Sequence, residues 1–177
     1  MYCRRVIQYI SSPKMTGQPQ ISIRKADAGD LVQVYALIRE LAVFENAPDE
    51  PSNPLKKFME EGTCKNPRFQ VIVAEDKGEI IGIALYYYGY STWKGSMIYL
   101  DDLVVKESYR RQGIGKLLLD ELIAIAKEEN INQVRWHVLD WNENAIQFYK
   151  KYPVTFDDTW ITVKLEKEFF TITKQIQ

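Results

Sequence analysis

Residues 97–116 constrain the fold more than any other stretch of this sequence. Met97 to Val105 is an almost wholly apolar run with the character of a buried strand. Tyr109-Arg110-Arg111-Gln112-Gly113-Ile114-Gly115-Lys116 follows, and the sequence then reads as a helix over residues 114–129. A strand that feeds a helix through a glycine turn points to a layered α/β domain. Glycines in such a turn leave main-chain N–H groups bare, and a helix N-terminus aims partial positive charge the same way, which suits a pyrophosphate. The plain alternative is an ordinary strand-to-helix turn, because this pattern is neither a Walker loop nor a dinucleotide fingerprint. The strand also sets Asp101 beside Asp102. Strand neighbours face opposite sides, so one carboxylate turns inward, at a cost, unless a bulge intervenes.

The remaining chain alternates strand-like and helix-like segments. A strand is predicted over residues 21–24, then a helix that starts at Asp27 and Asp30 and runs through Phe44. A second helix has Asn53 as its cap, Pro54 at its first position and Gly62 at its end. Residues 69–74 and 79–90 form an antiparallel hairpin around Asp76, Lys77 and Gly78. A strand over 133–139, a helix over 143–151 and a final strand over 159–165 complete an α/β domain with a mixed sheet.

With 177 residues and 20.7 kDa, one domain over residues 21–170 is expected, between an N-terminal extension, 1–20, and a C-terminal tail, 171–177. The apolar run from Val6 to Ile10 is too short for a signal peptide, and Met15 is an alternative start. No stretch approaches the roughly 20 apolar residues of a membrane helix. A net charge of −1 gives no footprint for nucleic acid, so neither membrane nor nucleic acid is an expected partner. Cys3 and Cys64 have neither the count of a disulfide framework nor the spacing of a metal site, which indicates a reducing, cytoplasmic setting without a metal.

Several segments, in order, carry a family resemblance: Glu40-Leu41-Ala42-Val43-Phe44-Glu45, Tyr90-Ser91-Thr92-Trp93-Lys94-Gly95, Tyr99-Leu100-Asp101-Asp102, the Arg110-x-x-Gly113-x-Gly115 loop, Leu139-Asp140-Trp141-Asn142 and Phe148-Tyr149-Lys150-Lys151. Over residues 21–166 the chain resembles GNAT-superfamily acetyltransferases of the spermidine/spermine and thialysine type. The resemblance implies a GNAT fold, a mixed and mostly antiparallel twisted sheet flanked by helices, and an N-acetyltransferase that uses acetyl-CoA and forms a homodimer. It implies that Leu103, Val104 and Val105 meet the pantetheine arm through their backbone, that Arg110, Arg111, Gln112, Gly113, Ile114, Gly115 and Lys116 wrap the pyrophosphate, and that Asn142 and Ala145 border the thiol. Asp101 matches the general base and Tyr149 the general acid. Phe44, Glu45, Ser91, Trp93, Asp102, Arg135, Trp136 and His137 correspond to acceptor positions. Each has a bland reading too: Phe44 and Trp136 as core, Glu45 as a solvated helix end, Asn142 as a helix cap.

The residue types suit the chemistry. An alkylamine arrives as an ammonium ion, with a pKa near about 10.4, and must lose a proton before it can attack a thioester. A carboxylate can attract the cation and take that proton, and a tyrosine can protonate the departing thiolate. Three positions depart from the family: Asp101 stands where a glutamate is usual, Pro153 stands where a glycine follows the Tyr149 helix, and Ser91 replaces an acidic residue that helps hold polyamines. The last favours a thialysine-like or other amino-acid-like amine. The alternatives are a peptide or protein N-acetyltransferase and a non-catalytic module that senses acyl-CoA, which would have no need of Asp101 and Tyr149.

Overall fold

Two residues set the first register. Lys77 (φ 52°) and Gly78 (φ 86°) both adopt positive φ, which a two-residue hairpin demands, and join β2 (Gln70–Asp76) to β3 (Glu79–Ser91) with Asp76 opposite Glu79. In this computed structural model, which describes residues 21–167, β1 (Ser22–Lys25) pairs antiparallel with β2, and β4 (Gly95–Val105) antiparallel with β3. β5 (Gln133–Arg135) returns parallel to β4, giving the order β1-β2-β3-β4-β5. The expected extension, 1–20, and tail, 171–177, lie outside the described residues. The described chain falls into two units divided after His137.

In the first unit, alternation along the strands builds two packed faces. Val71, Val73, Ile83, Leu85 and Val104 pack with Leu31, Val34 and Leu37 of α1 (Leu31–Phe44) and Phe58 of α2 (Leu55–Thr63). Gly82 points the other way, toward α3 (Ile114–Glu128). A Cβ there would lie 3.0 Å from the Val104 carbonyl and 3.2 Å from Leu118, so only glycine admits the helix this close. The start of α1 follows the expected signal: Asp27 Oδ1 accepts from Gly29 N–H and Asp30 Oδ2 from Asp27 N–H. Arg24 donates to both Asp30 oxygens, at 2.5 and 2.9 Å, and to Glu75 at 2.7 and 2.9 Å.

Four boundaries differ from expectation. Pro54 occupies the N-cap of α2, and Asn53 instead offers its carbonyl to the Tyr35 hydroxyl. Gly62 lies inside the last turn of α2, where a Cβ would meet the Phe69 ring at 2.8 Å, so packing rather than helix termination requires it. β5 ends at Arg135 rather than 139, because β4 bulges just beyond its partner Tyr99. No strand forms over 159–165. Ile161, Val163 and Leu165 alternate as a strand would, yet are 90, 89 and 67 % exposed, and no described strand offers this segment a ladder. In the second unit, α4 (Glu143–Tyr149) stops two residues early. The N–H groups of Lys151 and Tyr152 bond the carbonyls of Phe148 and Tyr149 in tight turns, and Pro153 follows with no N–H to extend the helix.

Arg24 holds the Asp30 carboxyl below the ordinary carboxylate range. The pair therefore stabilises the fold above about pH 4, and that contribution is lost as pH falls through the lowered value. Arg24→Met should cost about 1–2 kcal/mol in urea unfolding at pH 7, discounted for the partial exposure of Arg24, and progressively less as pH falls from about 4 through the lowered Asp30 value.

Candidate active site

β4 pairs with β3 along its length but with β5 only from Met97 to Tyr99. From Leu100 to Val105 its second edge has no strand partner among the described residues, which leaves the main-chain groups of Leu103 and the Val105 N–H for a ligand, whereas those of Val104 face Ile83 in the β3 ladder and the Val105 carbonyl accepts from Arg110. The chain then passes through a 3-10 turn (Glu107–Tyr109) into the glycine loop. Arg111 (φ 62°) and Gly113 (φ 85°) both take left-handed conformations, and Gly113 is the N-cap of α3. Nothing lies within 4 Å of a Cβ built at Gly113, so the loop is an open cradle. The first N–H groups of α3, at Ile114, Gly115 and Lys116, have no intrahelical acceptor by helix geometry. Loop and edge together fit a diphosphate followed by an amide-containing arm.

The loop side chains divide. Arg110 Nε donates to the Val105 carbonyl at 3.0 Å, and its guanidinium stacks 5.0 Å from the centroid of the Phe44 ring. Gln112 donates to the Ser108 carbonyl at 3.1 Å, and Lys116 pairs with Asp120 one turn along α3.

Asp101 is the extra residue of a β-bulge. Leu85 faces Asp102 and Tyr86 faces Leu100, with Asp101 between them. Its side chain reaches solvent and that of Asp102 is half-buried. Glu45 closes the C-terminus of α1. The three carboxylates share one electrostatic environment: burial, then repulsion from Asp101 and Glu45, pushes Asp102 up to about 7. Burial also raises Glu45 and Asp101, the latter partly offset by His137. Among the described residues no three His, Cys, Asp or Glu side chains converge as a metal site.

Beside the carboxylates, the Tyr87 and Tyr99 rings stack with centroids 5.1 Å apart, and the Tyr99 hydroxyl lies 2.5 Å from His137 Nδ1. Arg135 is the β5 partner of Tyr99, and Trp136 is half-buried next to it. Sequence reasoning missed Tyr87 and Tyr99, although counting back from the Ser91–Gly95 turn pairs them. Ser91 and Trp93 lie at that turn, six residues along β4 from Asp101, a span of roughly 20 Å. The Ser91 hydroxyl accepts from the N–H groups of Trp93 and Lys94 and holds the turn.

The second unit carries the other candidates. Asn142 Oδ1 accepts from Ala145 N–H at 3.2 Å, so the capping role is realised. Tyr149 is buried, which pushes its hydroxyl up to about 12 and keeps it a proton donor at neutral pH.

The sequence matches the Acetyltransferase (GNAT) family over residues 33–152. It is 38 % identical over 138 residues to a thialysine N-epsilon-acetyltransferase of Bos taurus, covering 73 % of this chain and 81 % of the relative. It is 36 % identical over 159 residues to the Sus scrofa protein of the same name, covering 84 % and 94 %. The fold superimposes on an aminoglycoside acetyltransferase from an uncultured soil metagenomic sample with a TM-score of 0.69 at 20 % identity, covering 82 % and 95 %.

Asp102 gives a test of the carboxylate cluster. Between about pH 4 and pH 7 the folded state keeps a proton that the unfolded state has shed, so stability falls as pH rises through that window. Asp102→Asn should therefore stabilise the protein more at pH 8 than at pH 5, by roughly 1–2 kcal/mol in urea unfolding after allowance for its partial exposure.

Proposed function

Because this chain belongs to the GNAT family of acetyltransferases and is an enzyme of that class, we propose that it moves the acetyl group of acetyl-CoA to the primary amine of a small cationic acceptor. The observation that carries the donor assignment is the free edge of β4 running into the Gly113 cradle. Main chain at Leu103 and the Val105 N–H would bind the amide groups of the pantetheine arm, with Val104 bordering it between them. The α3 N-terminus would bind the diphosphate, with charge from Arg111 and Lys116. When bound, the cofactor supplies an acetyl thioester, and the protein contributes position, charge and proton transfer.

Glu45, Asp101 and Asp102 favour a cation and repel an acceptor whose carboxylate lies near the reacting nitrogen. Asp101 takes the ammonium proton, directly or through water, so the amine can attack in a ternary complex. Tyr149, kept protonated by burial, supplies the proton to the leaving thiolate. Asn142 and Ala145 border the thiol end, while Phe44, Arg135, Trp136 and His137 wall the acceptor. Ser91 and Trp93, roughly 20 Å along the strand from Asp101, would meet only an acceptor longer than spermidine. The acceptor is thialysine-like or lysine-like rather than spermidine, a choice supported by the thialysine relatives. The exposed apolar face of Ile161, Val163 and Leu165 supports a homodimer, which light scattering should read as twice 20.7 kDa.

Calorimetry should show acetyl-CoA binding to the wild type and none to Gly113→Asp, whose carboxylate would repel the diphosphate; equal affinity would remove the loop assignment. Thiol release should be faster with thialysine or lysine than with spermidine. Asp101→Asn should lower turnover by about 10²-fold at pH 7, with partial recovery toward pH 10 as solvent deprotonates the amine. Tyr149→Phe should lower turnover without weakening CoA binding.

A further inference from the structure

Tyr99 and His137 are in contact across 38 residues of sequence, within the electrostatic reach of Asp101. His137 is the one histidine of the chain. The Tyr99 ring is held by stacking on Tyr87 and is half-buried, while the imidazole meets it edge-on, with ring centroids 5.6 Å apart, and reaches solvent. Resting on the acetyltransferase reading, we propose that Tyr99 and His137 form a proton relay, a second exit beside Asp101 for the proton of the acceptor ammonium.

The contact has a direction. A neutral imidazole protonated at Nε2 accepts at Nδ1, so the Tyr99 hydroxyl donates to it and keeps its oxygen lone pairs for an ammonium N–H. Burial and the nearby negative charge of Asp101 raise the Tyr99 phenol above its ordinary range. The hydroxyl therefore does not ionise on its own, and passes a proton only when a base takes the one it holds. His137 is that base. The groups facing the pair are Tyr87 and Asp101 on their strands and Arg135 beside Tyr99 on β5.

The step balances. An N–H bond of the ammonium breaks and an O–H bond forms at Tyr99, while the former Tyr99 O–H breaks and an Nδ1–H bond forms on His137. The products are a neutral amine and an imidazolium. The exposed ring then loses a proton to water and returns to its Nε2-protonated tautomer by exchange with solvent.

The test compares Asp101→Asn, in which the carboxylate exit is closed, with the same protein carrying in addition His137→Ala, Tyr99→Phe or both, by thiol release from acetyl-CoA with thialysine, from pH 6 to pH 10. In that background His137→Ala should lose about a further tenfold in kcat/KM at pH 7, recover toward pH 10, keep its KM for acetyl-CoA, and regain activity with added imidazole. Tyr99→Phe should lose as much without imidazole rescue, and the two together should be no worse than either. Nitrogen-15 shifts of the wild-type ring should report an Nε2-protonated tautomer, whatever the activity. An Nδ1-protonated ring, no further loss when His137→Ala is added to Asp101→Asn, or a pH-independent loss that imidazole does not relieve would overturn the relay while the enzyme assignment stands. A wild type that releases no thiol with any amine would overturn the enzymatic reading, and the relay with it.

Discussion

One extra residue in β4 sets the geometry on which the site depends. Asp101 has no partner of its own in the ladder with β3, and a bulge bends and twists the strand that carries it. On one side β3 still holds β4 through Val105, while on the other the parallel ladder to β5 stops at Tyr99. A stretch of main chain is thus left with open hydrogen-bonding groups, each costing about 1–3 kcal/mol if it stays dry and unpaired. The fold carries that cost because the strand is anchored through Val104 in a cluster closed by α1, α2, β2 and β3. A ligand with amide groups and a diphosphate is the natural occupant of such an edge.

The same bulge explains why two adjacent carboxylates are tolerated. Without it, one of Asp101 and Asp102 would turn fully into the apolar layer. With it, Asp101 reaches solvent, and Asp102 is half-buried with its proton held to about 7. Glu45, at the end of α1, adds to the repulsion. Three acidic groups in one environment work against the empty fold and in favour of a bound cation, whose arrival lowers their proton affinity and leaves a carboxylate ready to act as base.

Much of this architecture was legible in the sequence because its signals are local. Lys77-Gly78 demands a hairpin, the apolar rhythm of residues 114–129 demands a helix, and Asp27 with Asp30 marks the start of another. The bulge was legible only as an alternative, because whether Asp101 or Asp102 is the extra residue depends on register against β3. The 159–165 segment shows the limit from the other side: alternation specifies a face, but a strand also needs an edge to bond. The contacts of Tyr99 with His137 and of Arg110 with Phe44 join residues 38 and 66 positions apart, beyond the reach of any periodicity.

Arg110 shows what such a non-local contact changes. The family pattern places this arginine in the phosphate loop, but its Nε is bonded to the Val105 carbonyl and its guanidinium lies over Phe44. It ties the end of β4, and the loop that starts there, to the last residue of α1. Glu45 caps that helix, so the glycine loop and the end of α1 that carries Glu45 are fastened through a single planar side chain. The positive charge available to a diphosphate then falls to Arg111, Lys116 and the α3 dipole. Arg111 holds a positive φ that costs a non-glycine residue about 1 kcal/mol, strain that persists because the turn into α3 is fixed on both sides. On the proposed reading, then, the loop would bind through backbone geometry first and side-chain charge second, and its arginine at position 110 fastens the loop to α1 rather than offering its charge to the ligand.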